Sequence, residues 1–151
     1  MARAQASSRE IVLKVSAAMT ATAAGASIVI PEGYSQATFY LDCTARSGTS
    51  PTLDLKIQDA RTLPASTDLV GSQPTGTVTW DDFAAFTQVT ATGARVMRIF
   101  SASNSEAAAG DGALTAGTIR SGPISGPIRL KWVIGGTNPS FTFSVVAKFI
   151  A

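Results

Sequence analysis

The sequence predicts an all-β fold, an antiparallel two-sheet β-sandwich of the jelly-roll type with long loops. Apolar and polar residues alternate in several segments, Gly and Pro recur between those segments, and no segment shows the pattern of an amphipathic helix. Two packed sheets are the common way for about eight to ten short strands to bury their apolar faces. A closed barrel is the alternative architecture.

A short motif occurs twice and predicts two β-hairpins. Gly48-Thr49-Ser50-Pro51 and Gly136-Thr137-Asn138-Pro139 each stand between two alternating segments. Gly permits a positive φ, and Pro fixes its own φ and lacks an N–H donor, so both motifs are typical of tight turns. We expect each motif to reverse the chain. Because the flanking residues differ, the two copies are interpreted as independent solutions of one hairpin problem.

The alternating segments around these motifs predict the core face. Before the first motif we expect Phe39, Leu41 and Cys43 to point inward, and after it Leu53, Leu55 and Ile57, while Asp54, Lys56 and Gln58 face water. Around the second motif the inward set is Ile128, Leu130, Trp132 and Ile134, followed by Phe141, Phe143, Val145, Ala147 and Phe149.

The length of 151 residues suits one domain, placed at residues 10–151 after an N-terminal arm, residues 1–9. Residues 17–26 are expected to form a loop or an irregular extended segment, and residues 59–76 a long loop. Residues 101–127 are rich in Gly, Ala and Ser, and a loop of that length is usually functional or disordered. Thr118-Ile119-Arg120 can form one short strand inside it.

Composition narrows the function classes. Charged residues make up only 15% of the chain, below the usual ~25%, which fits either a surface partly covered by partners or one rich in Ser and Thr. Basic residues are scattered, so nucleic-acid binding is not expected. Arg129 and Lys131 share a face and are expected to point to solvent. No secretory signal and no apolar run of about 20 residues is present, so neither export nor a membrane partner is expected.

Few residues are suited to catalysis. The chain has no histidine and one cysteine, Cys43, which we interpret as a small buried hydrophobe. Asp81 and Asp82 are expected in a turn, and Asp111 in a Gly-Asp-Gly turn; a cation site at either is the less favoured alternative. Of the Trp and Tyr residues, only Tyr40 is expected to face outward on a strand. We therefore expect no catalytic residue, no metal, no cofactor and no enzymatic activity.

Two parts of the chain resemble small proteins encoded among the virion structural genes of tailed bacteriophages. The first comprises Phe39-Tyr40-Leu41-Asp42 and residues 48–58; the second comprises Ile128-Arg129-Leu130 and residues 135–145. Together these residues make up about a fifth of the chain, and their motifs are mostly those of turns. The resemblance implies a capsid decoration (cement) protein, which is small, β-rich and oligomeric and clamps neighbouring major capsid subunits. A head-completion, neck or tail protein remains the alternative, and a carbohydrate-binding module is third.

The resemblance also implies partners and a location. The partner would be the major capsid protein or another virion protein, the chain would form homo-oligomers, and it would be made in the host cytoplasm and reside in the virion. We expect the N-terminal arm and the 101–127 loop to supply the contacts. The candidate contact residues are Arg3, Arg9, Asn104, Glu106, Asp111, Leu114 and Arg120.

Overall fold

The computed structural model describes residues 8–30, 34, 36–100, 110–112, 114–119 and 126–151, with the side chain of Phe100 excepted. These residues form strands and loops, without a helix. The strands are β1 (Ser8–Met19), β2 (Ala23–Ala24), β3 (Ile28–Val29), β4 (Gln36–Thr62), β5 (Val78–Ala85), β6 (Gly93–Phe100) and β7 (Pro127–Ile150). The described part of the chain therefore contains no helix that could cross a membrane.

The seven strands belong to one antiparallel sheet, in the order β1-β7-β4-β5, with β6 added to β4 and both β2 and β3 added to β7. The sheet is built on two long strands, β4 of 27 residues and β7 of 24 residues. They pair from Gln36 opposite Ile150 to Asp59 opposite Ile128. The all-β, antiparallel prediction is confirmed, in the form of a single hydrogen-bonded sheet.

The prediction of two hairpins is wrong, because each motif lies inside an uninterrupted strand. The two motifs pair with each other instead, with Ser47 opposite Ser140 and Thr49 opposite Thr137. The register shifts on both sides of Thr49. Neither motif reverses the chain, and the positive φ values that indicated turns serve a different purpose.

That purpose is a paired kink, formed by residues 48–50 of β4 and residues 136–138 of β7. In each strand a Gly with φ above +100° is followed two positions later by a residue near +50°: Gly48 (110°) and Ser50 (49°), Gly136 (106°) and Asn138 (48°). A Cβ on Gly48 would lie 2.7 Å from the Asn138 carbonyl oxygen, and one on Gly136 would lie 2.8 Å from that of Ser50. Both positions thus require Gly, because the φ value is unfavourable for other residues and because the opposite backbone leaves no room for a Cβ.

The sheet bends sharply at the paired kink. Trp132 and Phe143 lie on either side of it in β7, and a straight strand would separate them by about 36 Å. Their ring centroids are 6.0 Å apart. Lys14 of β1 lies against both rings. The half of the sheet that contains β6, β1 and the start of β4 therefore faces the half that contains β5, β2 and β3.

Both halves contribute to one hydrophobic core. The predicted inward faces are confirmed on β4 and β7, with Phe39, Leu55, Phe141 and Phe149 all inaccessible to solvent. Ile134 is only partly buried and packs against the edge of this core. Cys43 is a buried free thiol, as expected, and burial raises its pKa.

Several expected loops and turns are strands. β1 begins at Ser8, inside the segment expected to be the arm, and continues to Met19, while β4 continues to Thr62. Asp81 and Asp82 lie in β5 rather than in a turn. Within the expected 101–127 loop, Ile119 forms a single bridge with Ala84.

Candidate functional site

A buried polar network occupies the face of β4 and β7 that points away from the core. The Nζ of Lys56 lies 2.7 Å from Oδ2 of Asp82, and Nε2 of Gln58 donates to Oδ1 of the same carboxylate at 2.8 Å. Asp82 and Gln58 are inaccessible to solvent, and Lys56 is nearly so. The expectation that Lys56 and Gln58 face water is wrong, because another segment covers this face.

That segment comprises residues 110–112 and 114–119. The Asp111 carboxylate accepts from Gln58 Nε2 at 3.0 Å and forms an ion pair with Lys131. The Leu114 N–H donates to Asp82 Oδ2 at 3.1 Å. Backbone hydrogen bonds from Asp82 N to Gly110 O and from Ala85 N to Thr118 O attach the segment to the edge of β5.

Arginine completes the polar network on β7. The Arg129 Nε donates to Gln58 Oε1 at 2.8 Å, and its guanidinium lies 4.4 Å from the centre of the Trp80 ring. Arg129 is thus half-buried and bound to Gln58, and Lys131 is half-buried and paired with Asp111. The expectation that both side chains simply face solvent is wrong. The Asp81 carboxylate makes a two-point contact with Arg61 at 2.7 and 3.1 Å.

The electrostatics of this network keep Asp82 charged. Burial by itself would raise the pKa of Asp82, but hydrogen bonds from Lys56, Gln58 and Leu114 outweigh it and hold the pKa below its usual value. Each carboxylate of the network is bound by cationic or amide donors. Among the described residues no group of three or more Cys, Asp or Glu side chains is placed to hold a metal ion. The arrangement fastens a loop to the sheet.

The candidate contact residues are dispersed. Asp111 and Leu114 belong to the polar network, whereas Arg9 is exposed on β1. Arg3, Asn104, Glu106 and Arg120 lie outside the described residues. Of the three candidates that the structure describes, Asp111 and Leu114 lie together, and both are hydrogen-bonded to the chain's own sheet.

An ordered loop exposes two large apolar side chains. The loop of residues 63–77 is closed at its base by a hydrogen bond from Leu63 N to Thr77 O at 2.9 Å. Inside it, the Asp68 carboxylate accepts from the Ala65 N–H at 2.6 Å and from the N–H and hydroxyl of Thr75 at 2.9 and 2.6 Å. These hydrogen bonds, from Thr75 first, lower the pKa of Asp68.

Leu69 and Val70 form the tip of this loop and are its most exposed apolar residues, with Leu69 at 78% and Val70 fully accessible. We call this pair the loop tip. Ser72 donates back to the Leu69 carbonyl oxygen at 2.6 Å, which supports the turn that carries the pair. The sequence predicted a loop here but not the exposed pair at its tip. The pattern that could have indicated the pair is an adjacent Leu and Val between turn-forming residues.

A second exposed apolar feature crosses the outer face of the first half-sheet. Tyr40 lies opposite Val96 on one side and opposite Val146 on the other, and Val146 lies opposite Val12. We call this row of four residues the outer stripe. Val12, Val96 and Tyr40 are 57%, 49% and 41% exposed. Of the Trp and Tyr residues, Tyr40 was the one expected to face outward. The sequence does not reveal that the four residues align, because they belong to strands that are distant along the chain.

Lys14 is a buried amine on the inner side of β1. Its Nζ donates to the carbonyl oxygens of Val15 at 3.1 Å and Phe143 at 3.4 Å and lies 4.4 Å from the centre of the Phe143 ring. Burial lowers the pKa of Lys14. Its contacts are carbonyl oxygens and ring faces rather than carboxylates, so it fills the space between the two halves of the sheet.

Comparison with known proteins adds no assignment, since no family model, curated protein or solved structure matches the chain.

Proposed function

We propose that this chain is a structural virion protein, a capsid decoration protein that binds and stabilises the lattice of the major capsid protein. The observation that carries the proposal is the loop tip, where Leu69 and Val70 are held in solvent by an ordered loop. Exposed apolar groups on an ordered support favour protein binding, because little conformational entropy is lost when they are covered.

The rest of the molecule suits a rigid support for such contacts. The Asp82 network fastens residues 110–112 and 114–119 to the sheet, and the paired kink joins both halves through two continuous strands. A stable partner interface typically buries about 800 Å² on each side, more than the loop tip alone provides. The N-terminal arm and the remainder of the 101–127 segment would supply the additional contacts, and repetition over a lattice would raise the overall avidity.

The finer description of the fold belongs to this proposal. We regard the bent sheet as a two-layered, jelly-roll-like sandwich whose layers share the strands β4 and β7. The contact between Trp132 and Phe143 and the single core support this description.

The sharpest test is binding to particles that lack the protein. Particles are prepared from a phage genome in which this gene is deleted, the purified protein is added, and co-sedimentation is measured. We expect the unaltered chain to co-sediment and the Leu69→Ser/Val70→Ser variant to remain in the supernatant. Val29→Ser is the control, because Val29 is an exposed valine outside the loop, at 73%, and this variant should still bind.

A second variant tests the arm. Removal of residues 2–7 leaves β1 intact, since β1 begins at Ser8. The shortened protein should fold and bind particles more weakly. Full retention of binding would refute the contribution of the arm, and retention by the Leu69→Ser/Val70→Ser variant would refute that of the loop tip.

The alternative is a head-completion, neck or tail protein, which would bind particles at one vertex or along the tail. Antibody labelling of particles separates these locations. A carbohydrate-binding module is the third candidate. Trp80 is covered by Arg129, and Trp132 is buried, so Tyr40 would be the main stacking surface, and binding on a glycan array would be needed to favour this function.

A further inference from the structure

The outer face of the first half-sheet has an ordered pattern of apolar and charged rows. Four strands lie side by side in the order β6, β4, β7, β1. The outer stripe runs across all four. On one side of it lies a charged row that also crosses all four strands, in the order Arg98, Thr38, Lys148, Glu10. On the other side lie Ala94, Asp42 and Ser144.

The charged row places opposite charges at its two ends. Arg98 stands on β6 and Glu10 on β1, and both are exposed. The two inner positions are Thr38, which is buried between its neighbours, and the half-buried Lys148. When a second copy of this row faces the first in the reversed direction, the cation of each copy lies opposite the anion of the other. The row is therefore self-complementary.

A two-fold axis that runs along the strands, between β4 and β7, performs this reversal. It places β6 of one copy over β1 of the other and β4 over β7. Arg98 then faces Glu10 of the other copy, Val96 faces Val12, and Tyr40 faces Val146. No like charges are opposed. An axis across the strands would instead place Arg98 over Ala94, so the charge pattern favours the first axis.

We propose that the outer stripe is the docking surface for a second copy of this chain, in an isologous dimer whose two-fold axis runs along β4 and β7. The apolar centre consists of both outer stripes, packed face to face. Arg98 of each copy pairs with Glu10 of the other at both ends of the interface. The inference is independent of the proposed role in the virion.

The size of the face predicts a weak dimer. Four strands about 4.8 Å apart and three rows about 6.8 Å apart give a footprint of about 400 Å². Stable interfaces typically bury about 800 Å² on each partner. We therefore expect reversible association that depends on protein concentration, with exposed ion pairs that weaken as salt is added.

The apolar part is tested by sedimentation equilibrium of the full chain over a range of concentrations up to about 1 mM. The unaltered chain should show a monomer–dimer equilibrium. Val12→Ser removes apolar contacts twice in the dimer and should raise the dissociation constant by about tenfold or more. Val78→Ser is the matched control, because Val78 is 53% exposed and also lies on an edge strand, β5. It should change the constant by less than about twofold.

The charge pattern gives a test of geometry. Glu10→Arg and Arg98→Glu each oppose like charges at both ends of the interface and should weaken the dimer. The double variant Glu10→Arg/Arg98→Glu restores opposite charges and should recover the association of the unaltered chain. A chain that is monomeric throughout, an oligomer insensitive to Val12→Ser, or a double variant as weak as the single ones would each overturn the proposal.

Discussion

Trp132 and Phe143 lie on the same strand, and their rings nevertheless pack edge to face with centroids 6.0 Å apart. The contact exists because β7 bends between them, where residues 136–138 meet residues 48–50 of β4. Each strand supplies one Gly and one further residue of positive φ to this meeting point. The repeated motif is therefore one structural device made of two halves, and it brings both halves of the sheet onto one core.

Substitution of either kink glycine should destabilise the fold strongly. Gly48→Ala and Gly136→Ala place a Cβ within 3 Å of the opposite backbone and also force a residue with a side chain into a φ above +100°. We expect each to lower the free energy of unfolding by about 3 kcal/mol. Chemical denaturation followed by tryptophan fluorescence measures the change, since Trp132 is buried against Phe143 in the folded protein.

The matched control is Gly71→Ala. Gly71 also has a positive φ, 86°, but a Cβ there would meet nothing within 4 Å. This variant should lose about 1 kcal/mol, from conformation alone. If all three variants lose the same amount, the close approach of the two strands contributes nothing, and the account of the paired kink is wrong.

The sequence was sufficient to predict the strand faces but not the pairing. The alternation of Phe141, Phe143 and Val145 specifies an inward face because side chains alternate along any strand. A Gly-Thr-Ser-Pro motif, in contrast, specifies only that the backbone visits positive φ. A hairpin turn and a kink shared by two strands both meet this requirement. The choice between them depends on which distant segment pairs with β4, and local sequence does not encode that.

Asp82 should make the protein acid-sensitive. Its pKa is lowered in the folded state, so its stabilising contribution is present above its unfolded pKa of about 3.9 and is lost as pH falls through the folded pKa. Asp82→Asn should lower the free energy of unfolding by about 3 kcal/mol at pH 7, because it leaves Lys56 buried without its anion. It should also flatten the dependence of stability on pH below about pH 5.

The measurement is urea denaturation from about pH 2 to pH 7. Asp54→Asn serves as the control, since within the described ranges the Asp54 carboxylate accepts from Gln88 in an exposed hydrogen bond. It should cost about 0.5 kcal/mol or less. An Asp82→Asn variant with the same acid slope as the unaltered protein would show that Asp82 does not carry the effect.

Lys14 should make the stability of the fold depend on pH in the alkaline range. Its pKa is lowered by burial, so folding favours the neutral amine. The folded state is therefore penalised at neutral pH, and stability increases as pH rises from the lowered folded pKa towards the ordinary lysine pKa of 10.5. Lys14→Met, of similar length and without charge, should be neutral or stabilising at pH 7 and should remove this increase.

Denaturation between about pH 7 and pH 11 tests the Lys14 prediction. Lys148→Met, on the outer face, is the control and should preserve the alkaline increase. Marked destabilisation by Lys14→Met at pH 7 would contradict the account, since it would mean that the contacts of the charged amine with the carbonyl oxygens and the Phe143 ring outweigh its loss of hydration.

The polar network and the outer stripe were beyond prediction for a related reason. Lys56 and Gln58 alternate with Leu55 and Ile57 as solvent-facing residues would, but residues 110–112 and 114–119 dock over them and they are buried. Val12, Tyr40, Val96 and Val146 come from four segments, so their alignment exists only in the folded register.

The most direct test of the proposed function is the number of copies of this chain in purified phage particles. Quantitative mass spectrometry gives the ratio of the chain to the major capsid protein. A decoration protein predicts a fixed ratio that scales with the capsid lattice and is lost when the loop tip is altered. Absence from the particles, or only the few copies that a single neck or tail position accommodates, would contradict it.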